Sequence, residues 1–262
     1  MSYETISLDI AGNVATLTLN RPDAANAMNP LMARELSAAA ITCDENTDIR
    51  AVILTGSGRM FCAGGDLGEF AQAGAGRPAL IKQMAGDLHM GISRLSRMSA
   101  PVIAAVNGTA AGAGFSLAVA ADLAISSDSA RYVMAYTNAG LSPDGSSTYF
   151  LPRRIGDRRA RELMLTNRML KADEALDWGL VNEVVAADEL KARAQELAAT
   201  LADGPTLAFG EVKTLLNASF DNGLETQMEL ESRAIAKMSG SDDGTEGIAA
   251  FLEKRSPKFK GS

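Results

Sequence analysis

The sequence predicts an α/β core carrying a helical appendage that begins near residue 200. Two observations carry that reading. A strand, a small-residue loop and a helix follow one another twice, from Ala51 to Leu67 and from Val102 to Ala121, and from Asp188 onward the pattern is helical only. Alternating strands and helices bury a sheet against helices, whereas consecutive helices form a layer of their own. With 262 residues, 47% hydrophobic and 22% charged, the chain is long enough for one large core domain plus the appendage.

Thr5 to Ile10 and Val14 to Leu19 alternate apolar and polar residues around Ala11, Gly12 and Asn13, the pattern of a β-hairpin that Arg21, Pro22 and Asp23 end. Asn29 and Pro30 form an N-cap and first-turn pair, so a helix runs from there to about Cys43. Ala51 to Leu54 is a short buried strand leading through Gly56, Ser57 and Gly58 into the loop Phe61 to Leu67, FCAGGDL. Phe70 to Pro78 is rich in Ala and Gly and reads as a mobile loop. Leu80, Met84, Leu88, Leu95 and Met98 recur at helical spacing, which predicts an amphipathic helix over Pro78 to Met98.

Val102 to Val106 is a β-rich strand, Gly108 to Gly114 a sharp turn of small residues, and Phe115 to Ala121 a helix apolar on every side. Short strands follow at Leu123 to Ile125 and Tyr132 to Met134. Tyr136 to Phe150, with Asn138, Gly140, Pro143, Asp144 and Gly145, reads as a loop. Asp173 to Trp178 and Val181 to Val185 give one more helix and strand. The tail helices fall at about 188–202, 206–217, 223–238 and 245–254.

A net charge of −7 leaves no electrostatic footprint for nucleic acid, and no apolar run has membrane-spanning length. No signal peptide is recognisable, and Cys43 and Cys62 stand alone in no metal-like spacing, so a reducing cytoplasm is expected. His89 is the single histidine, which excludes a His-rich metal site.

The first turn of the helix after Gly112 aims unpaired N–H groups and the positive end of the helix dipole at whatever lies in front of it, as in an anion hole. A dinucleotide fingerprint starting at Gly112 fails because its third glycine would be Leu117. A P-loop fails for want of Gly-Lys-Ser or Gly-Lys-Thr. A nucleophile elbow at Ser116 fails because Ala118 replaces its last glycine and the histidine precedes the serine. The glycines therefore serve either tight helix packing or close access of a ligand to the backbone. Ala63, Gly64 and Gly65, ahead of Asp66, free a second N–H, and two donors converging on one oxygen make an oxyanion hole.

With these motifs in place the chain resembles the crotonase, or enoyl-CoA hydratase/isomerase, superfamily. The resemblance runs from Asn20, Arg21 and Pro22 through FCAGGDL and PVIAAVNGTAAGAG to FLEKRSPKF at Phe251 to Phe259. It implies an α/β crotonase spiral of ββα units over residues 1–200, holding an acyl-CoA site, and a C-terminal helical trimerisation region over 201–262. A homotrimer or dimer of trimers, an acyl-CoA thioester as substrate, and no metal or cofactor beyond the coenzyme A of the substrate are implied with it. The oxyanion N–H groups fall on Gly65 and Ala113. CoA contacts fall on Ala25, Ala27, Ala63, Gly64, Asp66, Leu67 and Gly112, and, often from a neighbouring subunit, on Phe251 and Lys254. Lys254 is equally readable as a solvated charge near a helix C-terminus.

The family's hydratases hold water with two glutamates, which would fall at Ser116 and Tyr136. Both are absent. Asp144 lies instead where the isomerase branch carries a single acid/base, and SPDGSSTYFLP, Ser142 to Pro152, is similar to the Δ3,Δ2-enoyl-CoA and epoxyphenylacetyl-CoA isomerases. Apart from the resemblance, Pro143-Asp144-Gly145 is also an ordinary turn composition. His89, Asp144 and the Leu163 to Val181 segment are similar to the 4-chlorobenzoyl-CoA dehalogenases as well, with Tyr136 where those enzymes carry tryptophan. The expected activity is double-bond isomerisation by Asp144, with His89 and Tyr136 as further acid/base or pocket residues. Enoyl-CoA hydration, dehalogenase-like hydrolysis and acyl-CoA binding without catalysis are the alternatives.

Overall fold

In the computed structural model, which describes residues 3–262, the chain opens with the antiparallel hairpin β1 (Ile6–Ala11) and β2 (Val14–Leu19), followed by α1 (Pro30–Glu45). The Asn29 side chain accepts from the Met32 N–H at 2.9 Å, the N-cap its residue type dictates. Three strand pairs then follow: β3 (Ala51–Gly56) with β4 (Met60–Cys62), β5 (Val102–Val106) with β6 (Thr109–Ala111), and β7 (Leu123–Ser127) with β8 (Arg131–Val133). After the first pair come α2 (Leu67–Gln72) and α3 (Arg77–Arg97), after the second α4 (Ala113–Ala120), and after the third α5 (Ser147–Ile155) and α6 (Asp157–Thr166). β9 (Leu170–Lys171), α7 (Ala172–Asp177) and β10 (Glu183–Val185) close the sheets, and α8 (Leu190–Ala202), α9 (Thr206–Ala218), α10 (Leu224–Ser239) and α11 (Asp242–Glu253) complete the chain.

Each strand pair is split between two sheets. The first member enters a six-stranded sheet ordered β1-β2-β3-β5-β7-β10, parallel from β2 onward, and the second a four-stranded sheet ordered β4-β6-β8-β9. The chain thus winds as a spiral of ββα turns. Strands parallel and covered on both faces read as unbroken apolar runs, and all five residues of β5 are buried. Val52 and Leu54 of β3 pack into the larger core with α1 and α3, while Ala51 and Ile53 face Leu190, Ala194 and Ala198 of α8. Arg50 fastens the tail to this sheet, donating to Thr206 Oγ1 at 3.0 Å and to the Phe259 carbonyl at 3.1 Å.

Several expectations are corrected. Phe61 and Cys62, expected in a loop, and Thr109–Ala111, expected in a turn, belong to strands β4 and β6 of the smaller sheet. A Cβ on Gly114 would lie 2.5 Å from the Cys62 carbonyl oxygen, so only glycine lets α4 lie this close to β4. Phe70 to Pro78 is not an irregular loop: α2 runs to Gln72, a 3-10 turn covers Gly74–Gly76, and α3 begins at Arg77. The expected loop from Tyr136 to Phe150 gives way to α5 at Ser147, which continues through Pro152.

Candidate active site

The two small-residue loops meet at the start of α4. Gly64, at φ +96°, and Gly112, at φ +49°, adopt conformations open chiefly to glycine, and a Cβ on Gly64 would sit 3.4 Å from the Gly112 Cα. The Met28 N–H donates to the Gly64 carbonyl at 2.7 Å and the Asp66 N–H to the Met28 carbonyl at 2.9 Å. That bridge leaves the intervening Gly65 N–H free. The Ala113 N–H, first in α4, has no partner one helical turn earlier. Among the described residues neither N–H has a hydrogen-bond acceptor, and both residues line one cavity of about 520 Å³.

That cavity is walled by Phe70 and by Ile81, Met84 and Ala85 of α3 on one side, and by Ala135, Tyr136, Leu141 and Asp144 on the other. Arg77 and Lys82 stand among the lining residues. Among the described residues Asp144 is the single carboxylate in the lining. Its Oδ1 accepts from the Tyr136 hydroxyl at 2.6 Å, and Oδ2 has no donor among the described residues. Ser116, fully buried, has its Oγ 3.0 Å from the Tyr136 hydroxyl and donates toward the Asp144 backbone carbonyl at 3.1 Å. Burial, with the Asp144 charge beside it, pushes the Tyr136 phenol far above its ordinary value. It is a neutral donor at any physiological pH.

The sequence-derived residues separate into three groups. Ala63, Gly64, Gly65, Leu67, Gly112, Ala113, Tyr136 and Asp144 surround the cavity. Ala25, Ala27 and Asp66 frame its floor rather than line it: the Ala63 N–H donates to the Ala25 carbonyl at 3.0 Å, Ala27 offers its carbonyl to Arg21, and Asp66 pairs with Arg21 at 3.0 Å while capping α2. These three residues are not in the cavity lining. His89 is likewise absent from the lining; its Nε2 accepts from the Gly145 N–H at 3.0 Å and so holds the Asp144 turn from behind. Phe251 and Lys254 lie on and just after α11, outside the cavity of their own chain. Arg77, Lys82 and the Ser116 hydroxyl were not anticipated. The recurrence of lining residues at 78, 81, 82 and 85 along α3 was the available signal, because one helical face repeats at that spacing.

Among the described residues no cluster of three His, Cys, Asp or Glu is placed to hold a metal ion, and no helix is long and apolar enough to cross a membrane. A spiral of ββα turns with two free backbone donors beside an apolar cavity defines an enzyme of the crotonase class. The chain belongs to the enoyl-CoA hydratase/isomerase family, whose profile it matches over residues 9–262. It is 41% identical over 261 residues to a protein of Rhodobacter capsulatus named probable enoyl-CoA hydratase, covering 100% of both chains. It is also 41% identical over 260 residues to the 1,2-epoxyphenylacetyl-CoA isomerase of Escherichia coli K12, covering 98% of this chain and 99% of that one. The crystal structure of an enoyl-CoA hydratase from Polaromonas sp. JS666 superposes with a TM-score of 0.93 at 36% identity, covering 97% of this chain and 99% of the other.

Proposed function

We propose that the protein is an enoyl-CoA isomerase, of the Δ3,Δ2-enoyl-CoA or epoxyphenylacetyl-CoA type, with Asp144 as its single acid/base. The observation that carries this is that, among the described residues, Asp144 supplies the only carboxylate of the cavity lining; the resemblance, which would put the two hydratase glutamates at Ser116 and Tyr136, supports it.

The thioester carbonyl oxygen accepts from the Gly65 and Ala113 N–H groups. Asp144 Oδ2 then takes a proton from C2; the C2–H electron pair becomes the C1=C2 bond and the carbonyl pair moves to oxygen. The enolate is held by the two N–H groups, each such donor typically contributing roughly 10²–10³ in rate. On collapse the carbonyl re-forms, the double bond settles between C2 and C3, and C4 takes the proton back from Asp144. No further reactant is consumed. Arg77 and Lys82 offer positive charge to the phosphates of the CoA.

The exposed apolar side chains of the tail, including Leu216, Phe220 and Phe251 at 64%, 65% and 83% exposure, are the surface through which copies of the chain assemble. The deciding experiment follows the conversion of a 3-enoyl-CoA to its conjugated 2-enoyl isomer by ultraviolet absorbance. A wild-type protein that binds the thioester without shifting the double bond overturns the isomerase reading in favour of hydration or binding alone.

A further inference from the structure

The isomerase reading leaves Tyr136 without a task, although it touches both halves of the site. A Cβ on Gly112 would come within 3.9 Å of the Tyr136 Cζ, so the phenol ring lies against the backbone immediately before the Ala113 N–H. Its hydroxyl meanwhile donates to Asp144 Oδ1 at 2.6 Å and touches Ser116 Oγ at 3.0 Å. The Asp144 backbone is fixed from two further sides, by Ser116 Oγ at 3.1 Å and Ser147 Oγ at 2.9 Å, both donating to its carbonyl. The turn cannot move closer to Ser116, because a Cβ on Gly145 would already lie 2.7 Å from the Ser116 Cβ. The Tyr136 hydroxyl thus takes the place at Asp144 Oδ1 that a water would otherwise hold, and a water there would have to displace it.

Resting on the isomerase reading, we infer that Tyr136 is a positioning and specificity-determining residue: it occupies Asp144 Oδ1, leaves Oδ2 as the only proton carrier, and keeps water from the Oδ1 side. The abstracted proton then has one destination. It stays on Asp144 and returns to the same substrate molecule at C4, and the enolate is neither exchanged with solvent nor accompanied by a water poised to add at C3. The substrates are therefore thioesters whose double bond migrates, and hydration is disfavoured by the packing around the base as well as by the missing glutamates.

The experiment uses a 3-enoyl-CoA carrying two deuterons at C2, turned over in ordinary water by wild type, Tyr136→Phe and Tyr136→Ala, with product mass read early in the reaction. A product that keeps both deuterons reports internal transfer, and one that keeps a single deuteron reports exchange with solvent. Wild type is expected to keep most of the transferred label and both variants to lose most of it. Hydration of crotonyl-CoA relative to isomerisation should also rise about tenfold or more in Tyr136→Ala, the scale of one charge-assisted hydrogen bond. Thermal unfolding midpoints of Tyr136→Phe close to wild type show that packing is intact. A structural role alone would lower the rate and leave label retention unchanged, and that result overturns the inference. Wild type that isomerises with full loss of label overturns it too. Wild type that does not isomerise at all removes the underlying reading, a distinguishable outcome.

Discussion

The Tyr136 hydroxyl and Asp144 Oδ1 lie 2.6 Å apart, and this bond ties the one carboxylate among the described residues of the cavity lining to a phenol of the same lining. A protonated phenol beside a carboxylate orients it; a second carboxylate in the same place would repel it. The residue at 136 therefore sets the geometry of the base as well as the chemistry beside it.

Asp144→Asn keeps an oxygen that can accept from Tyr136 and removes the base. Turnover of a 3-enoyl-CoA should fall about 10²–10⁴-fold, the usual contribution of a positioned acid/base, with KM for the thioester near the wild-type value. Steady-state kinetics followed by absorbance give both constants, and an undiminished kcat would remove Asp144 from the mechanism.

Gly114→Ala should be among the most damaging small substitutions in the chain. The new methyl group would sit 2.5 Å from the Cys62 carbonyl oxygen and Cβ, which are fixed in β4. Overpacking of this kind costs about 1–3 kcal/mol or more. Urea unfolding should show a lower midpoint, and because α4 has to shift, the Ala113 N–H leaves its place and kcat falls with it.

His89→Ala leaves the buried Gly145 N–H without its acceptor. Loss of about 1–3 kcal/mol of stability is expected, together with a lower kcat because the turn bearing Asp144 is released. Chloride release from a 4-chlorobenzoyl thioester is expected from neither His89→Ala nor wild type. Detection of it with wild type would return His89 to a chemical role.

Cys43 and Cys62 are buried thiols, each pushed up from 9.0 to about 11, chiefly by burial. A group with a raised pKa in the folded state contributes stability that is complete below its unfolded pKa and is lost as pH rises through the folded one. Stability should therefore decline between about pH 9 and 11, by roughly 1.4 kcal/mol per thiol per pKa unit at most. Lys213, lowered chiefly by its burial, contributes the opposite slope at alkaline pH. Urea midpoints across that range for Cys43→Ala and Cys62→Ala isolate the thiols: each variant should show a shallower loss than wild type.

The long regular elements were readable because each repeats its apolar residues over several turns, as in α3 and the four tail helices. The second sheet was not, because β4 and β6 are three residues each, too short to display a period, and Thr109, Ala110 and Ala111 have the composition of a turn. That Asp144, Gly65 and Ala113 share one cavity was expected only through the resemblance the chain's motifs carry. The Tyr136–Asp144 bond was not legible, since it depends on how the residues between them turn over α4. Nor was the direction of His89, on a helix with both a cavity-facing and an outer side. The pairing of Asp66 with Arg21 and its capping of α2 were not legible in FCAGGDL either, since they depend on how Arg21 packs against that loop.

The close approach of Gly64 and Gly112 has a consequence for how such a chain can diversify. The two free N–H groups are peptide groups from successive turns of the spiral, and a substitution away from the tightly packed glycines replaces a side chain while leaving these N–H groups where they are. On the proposed reading, substitutions at 116, 136 and 144 change the groups around the thioester without rebuilding the frame that holds its oxygen. Reactivity and scaffold are thus inherited separately in this molecule, and three positions hold most of the freedom to exchange one reaction for another.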